Sequence, residues 1–450
     1  MASLLNNYHF CTSLYLLLIY FITTTITTTS ASASASFRPK ALLLRVSKDN
    51  STNQYTTKLI QRTPSISLTL TLDLGTQFLW LNCGKRYVSS TYRPVYCGSP
   101  QCTLANTKTK TCRTCPAAPK PGCNKNTCRT LSIHNPITNK SPTLGSELAT
   151  DVIRVNSTNG ATPGQLMTIP NFLFVCAPKS LLHGLAKGVS GVAGFGRTSK
   201  VSLPTQFSSS FHFPNIFALC LPPNPLYYGD GVIFLGDGPY IFAPGGTGTT
   251  VDLRSKLSYT PLIVNPFRTS EYFIGVKGIK ISGKDVPINK SLLSIDSKGY
   301  GGTTISLLHP YTIMETSIFK AVTTAFDNQL RDGSFPTKRV APVAPFEVCY
   351  EAGSIPSTRI GPVVPHIDLV LQSEDVLWTL AAPNLVVRTN MNKADCLGIV
   401  DGGKKPKSSI IIGGFQIEDN LLQFDLVKSR LGFSSALIYD RIGCSYFNVP

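Results

Sequence analysis

Asp73 is the residue of this sequence whose setting most suggests chemistry. In the stretch Ser65 to Cys83, SISLTLTLDLGTQFLWLNC, Ile66, Leu68, Leu70 and Leu72 alternate with Ser and Thr, the period of two of a half-buried strand. Asp73-Leu74-Gly75-Thr76 breaks the alternation, and Phe78-Leu79-Trp80-Leu81 resumes an apolar run. A carboxylate is thereby presented at a strand end, directly before a Gly turn. It could hydrolyse a peptide bond only with a second carboxylate sharing its proton, one polarising a water as base while the other protonates the carbonyl. A repeat of the same strand and turn is one place such a partner could come from. The later stretch that qualifies is Gly301-Gly302-Thr303-Thr304-Ile305-Ser306-Leu307-Leu308, a Gly-rich entry and β-branched strand that arrives at Ser306. No Asp-Thr-Gly or Asp-Ser-Gly occurs anywhere in the chain. A Ser hydroxyl neither ionises nor shares a proton as a carboxylate does, so the chemical pair is missing. An Asp-Leu-Gly turn that only orients backbone amides is the competing reading.

The elements that would position these loops are mainly β. Short alternating runs of Ser, Thr, Val, Ile and Leu are punctuated by Gly and Pro, and helical periodicity is sparse. The helices expected are Pro310 to Leu330, with Ile313, Ile318, Val322 and Phe326 at near-helical spacing and Pro310 in the first turn, and Pro204 to Phe211. A duplication is visible from the loops outward. In Val192-Ala193-Gly194 the Gly lies 121 residues after Asp73, and in Ile411-Ile412-Gly413 it lies 107 after Ser306. The Gly/Pro-rich Gly236 to Leu253 marks a boundary between two halves.

Residues 1 to 36 contain no Lys, Arg, Asp or Glu, and Leu14 to Ile22 is a short apolar run followed by an Ala/Ser repeat. The run falls short of the roughly 20 residues a span needs, and reads as a secretory signal peptide cut within Ala31 to Ser36. No membrane span is expected after its removal. Cys11 lies in the signal, leaving Cys83, Cys97, Cys102, Cys112, Cys115, Cys123, Cys128, Cys176, Cys220, Cys349, Cys396 and Cys444. Their even count suggests six disulfides formed in an oxidising compartment. Cys112, Cys115, Cys123 and Cys128 could also be drawn as a zinc site, but secretion favours bridges, and no metal or cofactor is expected. Asn50, Asn139, Asn156 and Asn289 head glycosylation sequons, with Pro142 making Asn139 a poorer acceptor.

The net charge of +18 all lies beyond the signal. It suits attraction to polyanions such as acidic cell-wall polysaccharide. Nucleic acid is not an expected partner, because Lys and Arg are dispersed without a recognition helix. The length past the signal exceeds one ordinary core, so two domains are expected, 37–245 with a Cys-rich insertion and 246–450.

The Asp73 turn resembles the first active-site loop of pepsin-like aspartic proteases, usually hydrophobic-Asp-Thr-Gly-Ser or -Thr, with Leu74 where Thr is usual and Trp80 and Cys83 sharpening the match. The runs YVSSTYRPVYCGSPQC, APKPGCNKNTC, GVSGVAGFGRTSKVSLPTQF, HPYTIMETSIFKAV, GPVVPHIDLVL and SIIIGGFQIEDNLLQFDLVKSRLGFSS together resemble the plant secreted, protease-like proteins. These include xylanase inhibitors, xyloglucan-endoglucanase inhibitors, extracellular dermal glycoproteins and seed basic globulins. The resemblance implies a pepsin-like fold of two pseudo-symmetric β lobes with a few short helices, loss of the second catalytic position at Ser306, and twelve cysteines in six bridges. A flap tyrosine has no counterpart in Asn135 to Ser146. The resemblance further implies a secreted, apoplastic, monomeric inhibitor of a microbial glycoside hydrolase. In relatives a loop corresponding to Asp401–Ser408 enters the target's active site, which makes Lys404, Lys405 and above all Lys407 the candidates. Lys338 and Arg339, after the Pro310 helix, are candidates for a second loop. The alternatives are a non-inhibitory globulin that binds peptide or carbohydrate at the vestigial cleft, and a residual acid protease.

Overall fold

The structure is a computed structural model and describes residues 37–447 except 85–86, 106–109, 144, 224–228, 245–248, 334–336 and 390–392. The expected signal peptide, residues 1–36, and the expected division at 245/246 lie outside the described residues. Pro39–Pro450 is a compact unit and holds all the strands and helices named below.

Its backbone is a six-stranded antiparallel sheet in the order Ala41–Lys48, Gly231–Leu235, Ile216–Cys220, Leu421–Asp425, Arg430–Phe433, Ser258–Ile263. The order is symmetric about its middle: two hairpins, one from each half of the chain, meet edge to edge. The central strands IFALC and LLQFD are buried along their whole length. Their alternation still sorts side chains by face, as a pleated strand requires. Phe217 and Leu219 enter the main core, while Ala218 and Cys220 join a second cluster with Phe234, Leu421 and Phe447. Phe217 stacks on Phe424 across the join, ring centroids 4.7 Å apart. Cys220–Cys444 ties the C-terminal segment to the second face.

Each half carries the same parallel pair. Ile66–Asp73 lies beside Gly191–Gly194, with Val192 opposite Thr71 and Gly194 opposite Asp73. Thr303–Ile305 lies beside Ile410–Ile412, with Ile305 opposite Ile412. The duplication read from spacing is therefore a structural repeat. Both glycines are required by close approach: a Cβ on Gly194 would sit 2.3 Å from the Phe78 carbonyl oxygen, and one on Gly413 2.3 Å from the Tyr311 carbonyl carbon.

The helix Leu203–Phe211 appears as expected. The other does not begin at Pro310. Thr312–Met314 is a strand between Ile399–Asp401 and Ile410–Ile412, and the helix runs Thr316–Arg331. Glu315 starts it by accepting from the Ser317 and Ile318 amides, a capping role that leaves Pro310 upstream in the loop. Six disulfides pair Cys83–Cys176, Cys97–Cys112, Cys102–Cys128, Cys115–Cys123, Cys220–Cys444 and Cys349–Cys396. The four cysteines of the zinc alternative are all spent in three of these. No described helix is long and apolar enough to cross a membrane.

The join between the halves is also ionic. Glu418, 2% exposed, accepts from Lys48 Nζ at 2.5 Å and from the Tyr55 hydroxyl at 2.6 Å. Burial nevertheless pushes its carboxyl up to about 7, and burial pushes that of Asp419 up to about 6. Both folded values lie above the unfolded ones, so the native state binds the extra protons and stability falls as pH rises from the unfolded range through about 7. Chemical denaturation is expected to show the protein more stable at pH 5 than at pH 8. Glu418→Gln should flatten that difference by on the order of 3 kcal/mol. A Glu418→Gln variant with the same pH 5 to pH 8 difference as wild type would refute the assignment.

Candidate functional site

The Asp73 carboxylate is consumed locally. It is 5% exposed, its Oδ1 accepts from the Gly75 amide at 2.9 Å and its Oδ2 from Thr76 Oγ1 at 2.5 Å. Its carbonyl accepts from Phe195, and that of Thr76 from Gly196, which locks the turn against Gly191–Gly194. The second loop repeats this geometry with a hydroxyl. Ser306 Oγ accepts from the Leu308 amide at 3.2 Å, two residues on, as Asp73 does from Gly75. The Ser306 amide donates to the Ile412 carbonyl at 3.0 Å.

His309 stands three residues after Ser306, as Thr76 stands three after Asp73. Burial pushes its imidazole pKa down, with the Asp73 charge opposing. A second carboxylate also reaches this region from an unexpected direction. Glu271 Cγ and Asp73 Oδ1 each lie 3.7 Å from where a Gly75 Cβ would stand. Burial pushes the Glu271 carboxyl up, Arg268 and Lys407 pull it down, and Asp73 adds to the rise.

Arg268 links this acid to the basic loop. Its guanidinium donates to Glu271 Oε2 at 3.2 Å, Ser408 Oγ at 2.8 Å, the Gly299 carbonyl at 3.0 Å and the Lys407 carbonyl at 2.9 Å. It also lies over the Phe273 ring, 4.7 Å from the centroid. Arg197, from the other half of the chain, grips the same segment: its amide donates to Ser270, and its guanidinium to the Ile263 and Leu262 carbonyls at 2.6 and 3.2 Å.

The structure separates the expected site residues into two groups. Lys404, Lys405 and Lys407 are exposed and enter no ion pair among the described residues. Lys404 and Lys405 border a groove of about 660 Å³ together with Lys298 and Tyr300. Lys338 and Arg339 are on a different element, the hairpin Arg339–Val340 with Cys349–Glu351. There Lys338 meets Glu351 at 3.0 Å and Arg339 meets Asp327 at 3.3 Å, so both charges are matched locally. Of the sequon asparagines, Asn50, Asn139 and Asn289 are exposed, whereas Asn156 is half-buried within the paired strand Ser146–Thr158. Arg268, Glu271, Arg197 and His309 are site residues that the sequence does not announce. Overlaying the two loops residue by residue would pick out His309; nothing local marks the other three.

Two pseudo-symmetric β lobes, a symmetric bridging sheet and two facing strand-turn loops define a pepsin-like architecture. The chain belongs to the plant pepsin-like family described as xylanase inhibitors, whose N-terminal description matches residues 55–237 and whose C-terminal description matches 271–435. Among its relatives is "Probable aspartic proteinase GIP2" of Nicotiana benthamiana, 51% identical over 92% of this chain and 93% of that one. Another is gamma conglutin 1 of Prunus dulcis, 42% identical over 100% of this chain and 98% of that one. The solved structure of edgp superposes with a TM-score of 0.86 at 49% identity, covering 92% of this chain and 99% of that one. An aspartic proteinase from Irpex lacteus, 16% identical with a TM-score of 0.51, shares the fold. The family and the names conglutin, basic globulin and xylanase inhibitor point to a non-catalytic pepsin-like scaffold.

Asp73 acts here as a turn former. Asp73→Ala strands a half-buried amide and a buried hydroxyl and is expected to cost about 2 kcal/mol in chemical denaturation, with Asp73→Asn, which keeps one acceptor, costing less. Unchanged stability in Asp73→Ala would show that the turn holds without it.

Proposed function

We propose that this protein is a catalytically inactive pepsin-like scaffold, secreted to the apoplast, that inhibits a microbial cell-wall-degrading glycoside hydrolase of xyloglucan-endoglucanase or xylanase type, in plant defence. The observation that carries the reading is the Lys404–Lys407 loop: exposed cations without ion-pair partners among the described residues, fixed at the cleft by Arg268. Glycoside hydrolases hold two carboxyl groups astride the scissile bond. A cation brought between them makes charge-assisted hydrogen bonds in a desolvated cleft. Lys407 would act as a point charge, without the bidentate fork of an Arg. With Lys338 and Arg339 already matched, the second-loop role assigned to them is the weaker part of the reading.

The loops support inactivity. Ser306 stands where a proton-sharing carboxylate would be needed. Glu271, the carboxylate that does approach, is ion-paired to Arg268 and influenced by Lys407, so its charge is already committed. The globulin reading has the relatives' names in its favour; there the same cations would bind acidic polysaccharide or peptide without blocking an enzyme.

The test is an inhibition assay against fungal xyloglucan endoglucanases and xylanases, with an acid-protease substrate alongside. Inhibition without proteolysis is expected, unaffected by Asp73→Asn in correctly folded protein. Lys407→Glu sets like charge against the target's carboxylates and should raise the inhibition constant about a hundredfold or more. Inhibition of no hydrolase would move the protein to the globulin role, and unchanged inhibition by Lys407→Glu would remove this loop from the mechanism.

A further inference from the structure

We propose that three loops knitted together by Arg268 form one pre-organised docking face whose apolar anchors are Phe267 and Tyr300 and whose cation is Lys407. We further propose that this face fits a protein cleft with an acidic centre and an apolar rim. The proposal rests on the inhibitor reading and names what else that surface must contain.

The loops are 264–271, 296–301 and 404–408, and one guanidinium bonds into all of them. Besides Glu271 in its own loop, Arg268 reaches the Gly299 carbonyl in the second and the Lys407 carbonyl and Ser408 hydroxyl in the third. The Lys407 carbonyl also accepts from the Gly301 amide at 3.1 Å, closing the second loop onto the third. Asn265, 1% exposed, closes the first onto the second through its amide nitrogen, which donates to the Gly299 carbonyl at 2.9 Å. Gly299 has φ +82°, and a Cβ there would sit 2.7 Å from Phe267 Cδ2, so the first two loops touch where no side chain fits. Within the second loop Asp296 Oδ1 accepts from the Lys298 and Tyr300 amides, both at 2.8 Å.

This framework holds two aromatic rings outward beside its cations. Phe267 is 66% exposed and Tyr300 48%, and they share a pocket of about 190 Å³ with Arg268, Lys298, Gly299 and Lys407. Large exposed aromatics beside fixed cations are the composition of interface hot spots, in which rigid rings supply area and the cation supplies orientation. Lys407 contributes its carbonyl to the clasp while the residue stays exposed, so its backbone is fixed before any partner arrives. Fixing a loop in its binding conformation removes an ordering cost from association. The occupant follows from charge: the exposed side of the face carries Lys298, Lys404, Lys405 and Lys407 against the exposed carboxylate of Asp296, whose Oδ1 is spent on two amides of its own turn, so its complement is acidic.

The test uses the full-length secreted protein in two arms. In the first, limited trypsin digestion is followed by mass spectrometry at Lys404 and Lys407; Pro406 blocks the bond after Lys405. Wild type should resist, and Arg268→Gln should be cut about tenfold faster at these two sites with its thermal midpoint little changed. Arg268→Lys keeps the charge but loses the fork, and should stay closer to Arg268→Gln than to wild type. Equal cutting of wild type and Arg268→Gln overturns the clasp. In the second arm, Phe267→Ala/Tyr300→Ala is assayed against the inhibited hydrolase. About a tenfold or greater rise in the inhibition constant, with the trypsin pattern unchanged, supports the anchors. An unchanged constant in the double variant, with wild type still inhibitory, overturns the docking face and leaves the inhibitor reading standing. Wild type that inhibits no hydrolase overturns both the reading and the occupant, while the trypsin arm still decides the clasp by itself.

Discussion

The pairing of Ile216–Cys220 with Leu421–Asp425 is the join on which the rest of the molecule depends. Each strand is the inner member of its own hairpin, so pairing them places two equivalent halves around a common axis. A one-residue slip of Ile216–Cys220 in the sheet would exchange that strand's faces, moving Phe217 and Leu219 out of the main core and Ala218 and Cys220 into it. Cys220–Cys444 and the stacked Phe217 and Phe424 oppose that slip. With the axis set, the two strand-turn loops must face one another, whatever residues they carry.

Scaffold and chemistry separate at that point. The close packing of Gly194 and Gly413 behind the loops serves the fold and is retained in both halves. The groups that would do chemistry are not retained in both. Asp73 and Ser306 each accept an amide two residues on, so the hydroxyl satisfies the turn as the carboxylate does while lacking the acidity proton sharing requires. A turn tolerates that exchange; a dyad does not. The loop geometry therefore survives the loss of the reaction it resembles.

That distinction also explains what is legible in the sequence. Period-two alternation before Asp73, the repeated apolar-apolar-Gly landmarks and the even cysteine count each express a local or a counting rule, and together they lead to the architecture. The helix expected from Pro310 starts later because its apolar spacing is shared by the strand Thr312–Met314, and only Glu315, a less usual cap, marks the true start. Cysteine pairing is not readable, since many pairings satisfy the same count. The Arg268 clasp is invisible for a different reason: Arg268 and Lys407 are 139 residues apart, and an arginine followed three residues later by a glutamate is ordinary in any loop.

The same clasp resolves an apparent contradiction in the electrostatics of the cleft edge. Lys404, Lys405, Lys407 and Lys298 share the neighbourhood with Asp296, Glu315, Asp401 and Glu271, so the local sum is far less positive than the exposed lysines alone suggest. Hydrogen-bond partners sort them. Glu315 is buried and caps the Thr316–Arg331 helix, Asp401 accepts from the Gly403 amide and the Thr316 hydroxyl, and Asp296 accepts two amides of its own turn. Glu271 is held by Arg268, which leaves Lys407 outside that pair. Each carboxylate thus has backbone donors or a guanidinium, whereas Lys298, Lys404, Lys405 and Lys407 are exposed and enter no ion pair among the described residues. A basic surface of this kind is made by where the negative charges are anchored as much as by the number of lysines.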